Sequence, residues 1–337
     1  MIKKNEPLKN NIISERKQKL LEVRDLEVKY IVDNEVVRAV NGVSFDICHG
    51  ETLGLVGETG AGKTTTALSI IRLISDPPGK IVKGEIYYEG ENLLDKSERQ
   101  MRKIRGQDIT MIFQDPMTSL NPLISIGDQI MEVVRLHEKT SKMNAILKSK
   151  KMLEIVGIKG DRYDEYPHQF SGGMKQRVMI AMSLACNPKL LIADESTTAL
   201  DVTVQAQILN LMNDLKKEFN TAMIMITHDL GVVAEVCDKV AIMYAGEIVE
   251  YGTLEDIFNN PLHPYTKGLF SCIPDLQKDL ERLETIRGMG PSPTDLPNGC
   301  KFHPRCNYYS KECDSTNIKV VEVTKGHKVK CILCSGQ

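Results

Sequence analysis

The chain has 337 residues, of which 42% are hydrophobic and 26% are charged. This composition supports a sizeable core, and it excludes a disordered chain, a collagen-like repeat and a disulfide-stapled miniprotein. The formal charge, from 43 basic and 45 acidic residues, is −2, so we expect no nucleic-acid partner. No stretch reaches the roughly eighteen apolar residues of a membrane span, and the first residues lack the apolar core of a signal peptide. We therefore expect a cytoplasmic protein without membrane spans of its own.

Composition changes at both ends of the chain. Residues 1–19 are rich in charges and amides and show no period, which predicts a solvated N-terminal tail. Residues 288–299 contain three prolines and three glycines, which predicts a stiff, non-helical connector. Five of the nine cysteines follow in the last 38 positions. The odd number of cysteines and a reducing compartment together argue against disulfides.

Four short apolar runs each stop at polar residues. Continuous apolar runs of this length are typical of strands that are buried on both faces of a parallel sheet. Ligands bind beyond the carboxyl ends of such strands, so the polar residues should gather at one edge of the sheet. The sequence therefore predicts an α/β fold with a site at that edge. The runs and the residues that follow them are 52–56 before Gly57, 109–113 before Gln114, 190–193 before Asp194 and Glu195, and 222–226 before Thr227 and His228.

The motif GETGAGKT, residues 57–64, follows the first predicted strand and precedes a helical stretch. Its glycines allow backbone amides to turn towards phosphate oxygens, Lys63 can reach the β and γ phosphates, and the Thr64 hydroxyl can ligate magnesium. A plain turn is the alternative. The strand before the motif and the helix after it favour a phosphate-binding loop.

The polar residues at the other strand ends have a structural and a functional interpretation. At the third strand, Asp194 can hold magnesium and Glu195 can polarise water. Without a phosphate-binding loop, a helix cap or a surface ion pair would be the simpler explanation for both. His228 and Gln114 could each be a hydrogen-bonded structural residue, although their positions at strand ends favour a function.

The segment FSGGMKQR, residues 170–177, resembles the signature sequence of ATP-binding cassette (ABC) ATPases. Alone, it could be a helix N-cap at Ser171 followed by flexible glycines. However, the other motifs occur in the order of that family, and the resemblance covers about residues 20–262. That order is Tyr30, the phosphate-binding loop, Gln114, the signature, Asp194 and Glu195, TALD at residues 198–201, and His228.

The resemblance implies a fold and a domain organisation. The expected fold is the ABC cassette of P-loop NTPases, with a RecA-like core, a β-subdomain and a helical signature subdomain at about residues 115–187. The cassette would span residues 20–262, after the N-terminal tail. A small cysteine-rich extension would span residues 263–337.

Further segments narrow the family. They resemble the peptide-importer ATPases of oligopeptide and dipeptide transporters, and they are QDPMTSLNP at 114–122, TTALDVTVQAQ at 197–207 and HPYTKGLF at 263–270. The implied partners are a second ABC ATPase subunit, two transmembrane permease subunits and, indirectly, an extracytoplasmic peptide-binding protein. The implied location is the cytoplasmic face of the cell membrane, as a peripheral protein. An importer ATPase for another solute, such as nickel or a small glycoside, is the alternative. A soluble ABC ATPase is disfavoured because the chain has neither a coiled-coil insert nor a second cassette.

The resemblance also implies a role for each motif residue. Tyr30 would stack on adenine, Glu195 would activate the attacking water and His228 would touch the γ-phosphate. Two cassettes would sandwich two ATP molecules head to tail, with Asp201 lining the seam. The phosphates would be held by Gly57, Thr59, Gly60, Ala61, Gly62, Lys63, Thr64 and Thr65. Magnesium would be held by Thr64, Gln114 and, through water, Asp194, whereas Ser171, Gly172 and Gly173 would serve the nucleotide of the opposite subunit.

Three positions depart from the general ABC pattern. Ser196 replaces the usual proline after the acidic pair, Met174 replaces a glutamine, and Phe170 replaces a leucine. Loss of the fixed proline φ could loosen the turn behind Glu195, but it removes no ligand. We therefore still expect an active ATPase.

The cysteines suggest a metal site in the extension. Five residues separate Cys300 from Cys306, six separate Cys306 from Cys313, and seventeen precede Cys331. This spacing is compatible with zinc, with an iron-sulfur cluster or with unliganded thiols. GCKFHPRC and KVKC resemble the extension of peptide-importer ATPases, which implies a 4Fe-4S cluster on Cys300, Cys306, Cys313 and Cys331. Cys334 could replace Cys331, and His303 or His327 could enter a zinc site instead. Because the ATP motifs lie far upstream, changes at these cysteines should affect ATP turnover less than they affect the stability of the extension.

Overall fold

The computed structural model describes residues 18–33, 35–114, 119–195, 201–272, 285–315 and 318–334. Most of the predicted N-terminal tail lies outside the described residues, as do Ser196 and the first three residues of the TALD segment. No helix within the described ranges is both long enough and apolar enough to cross a membrane.

The described residues form twelve strands, which belong to two sheets. In chain order they are β1 (Lys19–Val32), β2 (Glu35–Cys48), β3 (Thr52–Val56), β4 (Gly79–Tyr88), β5 (Glu91–Asn92), β6 (Ile109–Ile112), β7 (Leu190–Asp194), β8 (Ala222–Thr227), β9 (Lys239–Tyr244), β10 (Glu247–Thr253), β11 (Val321–Thr324) and β12 (His327–Val329).

The same ranges contain nine α-helices and several short 3₁₀ helices. The α-helices are α1 (Lys63–Ile70), α2 (Glu98–Ile104), α3 (Ile126–His137), α4 (Lys142–Ile155), α5 (Gly172–Leu184), α6 (Val202–Phe219), α7 (Leu230–Val236), α8 (Leu254–Asn259) and α9 (Pro264–Ser271). The 3₁₀ helices are Leu93–Asp95, Gly160–Asp164, Pro167–Gln169, His303–Arg305, Lys311–Asp314 and Ile332–Cys334.

The larger sheet contains a parallel part in the order β9, β3, β8, β7 and β6. The four predicted strands are confirmed, since β3 has the predicted bounds, β6 ends one residue earlier, and β7 and β8 end one residue later. All residues of β3, β7 and β8 are buried, as their continuous apolar sequences predict. The carboxyl ends of these strands therefore meet at one edge.

The smaller sheet is antiparallel, in the order β2, β1, β4 and β5. Its inner side chains, such as Val28 and Phe45, share one core with Leu55 and Ile192 of the larger sheet. Tyr30 pairs with Val37 on β2, two residues before the end of β1. The two sheets together therefore hold Tyr30 near the edge where the parallel strands end.

Helices α3, α4 and α5 pack against one another and form the helical part of the molecule. Ser125 and Ser141 begin α3 and α4, because each hydroxyl accepts the backbone N–H three residues on, both at 3.2 Å. Ile130, Leu153 and Ile180 fill the space between the helices without exposure to solvent. These helices lie within the predicted helical range, although the exact domain boundaries remain predictions.

The C-terminal hairpin of β11 and β12 extends the larger sheet through antiparallel pairing of β12 with β10. The buried carboxylate of Glu250 fixes this junction, since it accepts the backbone N–H of Leu262 at 2.7 Å and of His263 at 2.9 Å. Its Oε1 also lies 2.8 Å from Nε2 of His327. The sequence from residue 263 onward is therefore joined to the main sheet.

The buried His263 side chain makes stability sensitive to acid. Its Nδ1 accepts the N–H of Tyr265 at 3.0 Å at the start of α9, and burial lowers the pKa of His263 from 6.5 to about 3. Protonation is therefore easier in the unfolded state. Protonation of His263 therefore does not reduce the free energy of unfolding above about pH 6.5. Between pH 6.5 and about pH 3, it lowers the free energy of unfolding by up to about 1.4 kcal/mol per pH unit.

Denaturant unfolding of the parent and of His263→Asn between about pH 7 and pH 4 checks this prediction. Asparagine retains an acceptor at the helix N-cap but does not titrate in this range. We expect the variant to show the flatter stability profile. Parallel profiles for the two proteins would contradict the assignment to His263.

Candidate functional site

The loop of residues 57–62 connects β3 to α1 and curves around an open space. Gly62 has φ +96°, and a Cβ there would lie 2.4 Å from the carbonyl oxygen of Ala39, so the loop requires glycine at this position. Lys63 is buried, and its Nζ donates to the carbonyl oxygens of Gly57 at 2.7 Å and of Glu58 at 3.1 Å. Burial lowers the pKa of Lys63, and the nearby carboxylates of Glu195, Asp194 and Glu58 oppose this shift.

Asp194 ends β7 and is only 2% exposed. Burial raises the pKa of its carboxyl group, whereas a hydrogen bond with the Thr64 side chain and the charge of Lys63 favour the ionised form. Within the described residues, Oδ1 of Asp194 has no hydrogen-bond partner. A buried carboxylate oxygen without a partner, beside a threonine hydroxyl, is the donor set that a hard divalent cation prefers. The residues at this position therefore fit Mg²⁺.

Glu195 follows Asp194 and has φ +44°, which turns its side chain out of the strand direction. Gln114, beyond β6, donates from Nε2 to Oε2 of Glu195 at 2.7 Å. Nδ1 of His228, beyond β8, lies 3.4 Å from Oε1 of the same carboxylate. Three strand ends thus contribute one polar cluster, as their order in the sequence predicts.

These groups lie at a pocket of about 350 Å³. The pocket is lined by Tyr30, by residues 59–65 of the loop and the first turn of α1, and by Gln114 and Glu195. All of these residues were predicted from the sequence. Asp194 lies buried behind Thr64, and Gly57 and His228 line an adjoining cavity. A pocket that combines an aromatic ring, an amide-rich loop, a lysine and a carboxylate is suited to a nucleotide with its phosphates.

Four predicted residues lie apart from this pocket. Ser171 is the N-cap of α5, which begins with Gly172 and Gly173, and Asp201 is the N-cap of α6, where its Oδ1 accepts the N–H of Val204 at 2.9 Å. All four residues therefore lie at the start of a helix in this chain. Their predicted role concerns the nucleotide of a second subunit.

The predicted cluster thiols are buried or half-buried. Cys300, Cys306 and Cys331 each accept a hydrogen bond from the backbone N–H two residues on. Burial, together with the nearby thiols of Cys334, Cys300 and Cys306, raises the pKa of Cys331 to about 11, although the hydrogen bond from the N–H of Leu333 opposes this shift. However, no group of three or more histidine, cysteine or acidic side chains has a metal-binding arrangement in the part of the chain that the structure describes. The cluster therefore remains a prediction.

Several pocket residues were missed by the sequence reasoning. Val37 and Ala39 on β2 line the pocket, and so does Pro293 from the connector. The two β2 residues could have been found from their register opposite Tyr30. Pro293 carries no local signal, because its position depends on how the C-terminal connector folds back.

Comparison with known proteins agrees with this geometry. Residues 40–198 match the ABC transporter family, and residues 249–313 match the C-terminal region of oligopeptide/dipeptide transporters. The oligopeptide transport ATP-binding protein OppD of Haemophilus influenzae is 53% identical, with 87% of this chain and 91% of the relative covered. The oligopeptide transport ATP-binding protein AppD of Bacillus subtilis is 48% identical, with 93% of this chain and 96% of the relative covered.

Solved structures support the expected fold. A dimeric post-hydrolysis state of the ATP-binding cassette MJ0796, bound to ADP and Pi, matches with a TM-score of 0.63 at 26% identity, covering 69% of this chain and 98% of that one. CbiO1 from Clostridium perfringens matches with a TM-score of 0.62 at 27% identity, covering 72% and 91%. The ABC cassette fold predicted from the motifs is thus confirmed. The chain belongs to the ABC transporter family, in the branch whose members are oligopeptide and dipeptide transport ATP-binding proteins.

Proposed function

We propose that this protein hydrolyses ATP to energise the import of oligopeptides or dipeptides across the cytoplasmic membrane. The observation that carries the proposal is the contact between Glu195 and Gln114 at the mouth of a phosphate-binding loop. Family membership supplies the transport context, since relatives about 50% identical are named for oligopeptide transport. The catalytic cluster and the family together support an importer ATPase.

ATP binding is assigned to the pocket described above. Tyr30 stacks on the adenine ring, because it is the aromatic residue among the described residues that line the pocket. The backbone N–H groups of residues 59–65 surround the phosphates at the start of α1, where the helix dipole favours negative charge. Lys63 exchanges its contacts with the loop carbonyl oxygens for phosphate oxygens. That exchange offsets the cost of burying its charge.

Magnesium is assigned to Thr64, Gln114 and Asp194. When bound, Mg²⁺ neutralises charge that develops on the phosphate oxygens. Asp194 contributes the buried carboxylate, and the hydrogen bond between Thr64 and Asp194 places both groups at the same point. Gln114 links this position to Glu195.

Hydrolysis is assigned to Glu195 and His228. Glu195 accepts a proton from the attacking water, and Gln114 orients its carboxylate through the 2.7 Å contact. His228 is 61% exposed at its side chain and lies on the far side of the same carboxylate. It is therefore free to turn towards the γ-phosphate.

The complete catalytic unit is assigned to a pair of cassettes. Ser171, Gly172 and Gly173 lie at the N-terminus of α5 and are absent from the lining of this chain's own pocket. A helix N-terminus suits a phosphate, so a facing subunit provides the ligand for this surface. Asp201 caps α6, whose first turn carries Val204 next to Gly173, and we assign Asp201 to the seam. The similar cassette MJ0796 is itself described as dimeric.

The proposed membrane partners are two permease subunits. An extracytoplasmic peptide-binding protein delivers the peptide to these subunits. A groove of about 410 Å³ between the parallel core and the helical part is lined by Leu73, Phe113 and Met182, and the first two are more than 40% exposed. An exposed apolar groove of this kind suits a protein partner. The protein then works as a peripheral subunit on the cytoplasmic face of the membrane. Nickel or a small glycoside remains the alternative cargo, because permeases and binding proteins select the solute.

The extension is assigned a 4Fe-4S cluster on Cys300, Cys306, Cys313 and Cys331, with zinc as the alternative. Two features support it: the four thiols lie in one small segment, and backbone N–H groups already donate to three of them. Such hydrogen bonds stabilise thiolates that ligate a metal. A cluster would also staple a segment whose own apolar core is small, with Val329, Cys331 and Cys334 at its centre.

Replacing Glu195 tests the catalytic assignment. We expect Glu195→Gln to slow ATP turnover by about 100-fold or more, because it preserves the shape and removes the proton acceptor. ATP affinity should be preserved, and the variant should dimerise stably with ATP. Phosphate release and size-exclusion chromatography measure the two effects. The exposed Glu218→Gln serves as the control, and equal turnover in Glu195→Gln and the parent would reject Glu195 as the base.

Metal analysis tests the cluster. Protein prepared without oxygen, with iron and sulfide supplied, should be brown and carry about four irons per chain, the content of one cubane cluster. Cys306→Ser should bleach it, whereas Cys186→Ser, on a thiol outside the extension, should not. Stoichiometric zinc without iron would favour the zinc site instead. Chains without any bound metal would reject both.

A further inference from the structure

The C-terminal extension reaches the phosphate-binding loop. Nη1 of Arg305 donates to both carboxylate oxygens of Glu58, at 3.1 and 3.0 Å, and to the hydroxyl of Tyr244 at 3.2 Å. The backbone N–H of Glu58 donates to the hydroxyl of Tyr265 at 3.1 Å. The second residue of the loop is therefore held through its side chain and its backbone by residues that follow it by up to 247 positions.

Arg305 is itself fixed in place. Its side chain is 8% exposed, and its Nε donates to the carbonyl oxygen of Arg287 at 2.9 Å. The guanidinium carbon lies 5.7 Å from the ring centre of Tyr244 and 5.9 Å from that of Phe302. A buried guanidinium requires a charged partner, and Glu58 is that partner. The position of Glu58 therefore depends on Arg305 of the extension.

The connector also forms a wall of the nucleotide pocket. The carbonyl oxygen of Pro293 accepts the backbone N–H of Arg38 on β2 at 2.9 Å. Pro293 lines the pocket together with Tyr30 and Val37, which are paired across β1 and β2. It lies beside the strand at the nucleoside end, whereas Arg305 acts at the phosphate end.

We infer that residues 285–306 form part of the ATP site of their own chain, with Arg305 as the positioning residue of the phosphate-binding loop and Pro293 as a contact for the nucleoside. This inference rests on the proposed ATP-binding function. Arg305 fixes Glu58, and the carbonyl oxygen of Glu58 is one of the two that hold Lys63. Displacement of Glu58 therefore reaches the lysine that meets the phosphates.

The position of Arg305 bears on one expectation drawn from the sequence. Distance along the chain predicts that changes at the cluster cysteines affect ATP turnover less than they affect the extension itself. However, Arg305 directly precedes Cys306 in the sequence. Arg305 contacts the hydroxyl of Tyr244 and the carboxylate of Glu58. Loss of order around Cys306 is thus expected to weaken nucleotide binding.

Titration calorimetry of the full chain with two probes tests the inference. The probes are MgATP and magnesium tripolyphosphate, which lacks the nucleoside. We expect Arg305→Met to raise the Kd of both probes on the order of tenfold, because the loop is displaced. Pro293→Ala should raise the Kd for MgATP only. The exposed Arg102→Met, which removes a guanidinium paired with Glu98 at 3.7 Å, is the matched control and should change neither.

Each outcome decides between the alternatives. Unchanged Kd values for both probes in Arg305→Met, while the parent binds MgATP, would overturn the role of Arg305 and leave the proposed function standing. Failure of the parent to bind MgATP would reject the proposed function itself. If Arg305→Met melts at a much lower temperature, Glu58→Gln is measured in its place. Glu58→Gln should weaken the binding of both probes. Arg305→Lys should bind both probes more tightly than Arg305→Met. A change for both probes in Pro293→Ala would contradict the nucleoside contact.

Discussion

The parallel pairing of β3, β6, β7 and β8 is the constraint on which the site depends. Parallel strands align their carboxyl ends, so the residues that follow them converge whatever their distance in the sequence. Gln114 and Glu195 come into contact for this reason, although 81 positions separate them. The helices and the second sheet complete the burial that keeps these strands in place.

Convergence at the sheet edge creates an electrostatic problem. Asp194, Glu195 and Glu58 bring three carboxylates close to Lys63, and both Lys63 and Asp194 are buried. Burial favours the neutral forms of both Lys63 and Asp194, while their mutual attraction favours the charged forms. Among the described residues, Oδ1 of Asp194 has no hydrogen-bond partner, and Nζ of Lys63 donates to the loop carbonyl oxygens of Gly57 and Glu58. Such a site is prepared for a ligand that brings both phosphate and a divalent cation.

The C-terminal region is joined to the cassette at two buried points. One is Glu250, which accepts two backbone N–H groups and contacts His327. The other is the aromatic group of Tyr244, Tyr265 and Phe302, whose ring centres are 4.6 to 5.3 Å apart. Arg305 lies over this group and extends to the phosphate-binding loop. The cysteine-bearing segment and the nucleotide site therefore share one packed region.

The sequence by itself determined the elements whose signals are local. The apolar strands, the glycine-rich loop and the order of the motifs each depend on neighbouring residues, and the structure reproduces the strands within one residue. The family was identified from the same motifs, because they occur in the order that is typical of ABC ATPases. The helix starts at Ser125 and Ser141 are likewise local, since a serine side chain caps the turn that follows it.

Only the tertiary structure decided which distant residues share the site. Pro293 enters the nucleotide pocket, and Arg305 pairs with Glu58 across 247 positions, through contacts that no periodicity or motif encodes. The burial of Asp194, whose Oδ1 has no hydrogen-bond partner among the described residues, is a result of packing, since the residue type alone does not predict burial. These features depend on which side chains are buried between the connector, the extension and the edge of the sheet. Long-range packing determines that burial, whereas the local sequence determines only the helices and strands that pack.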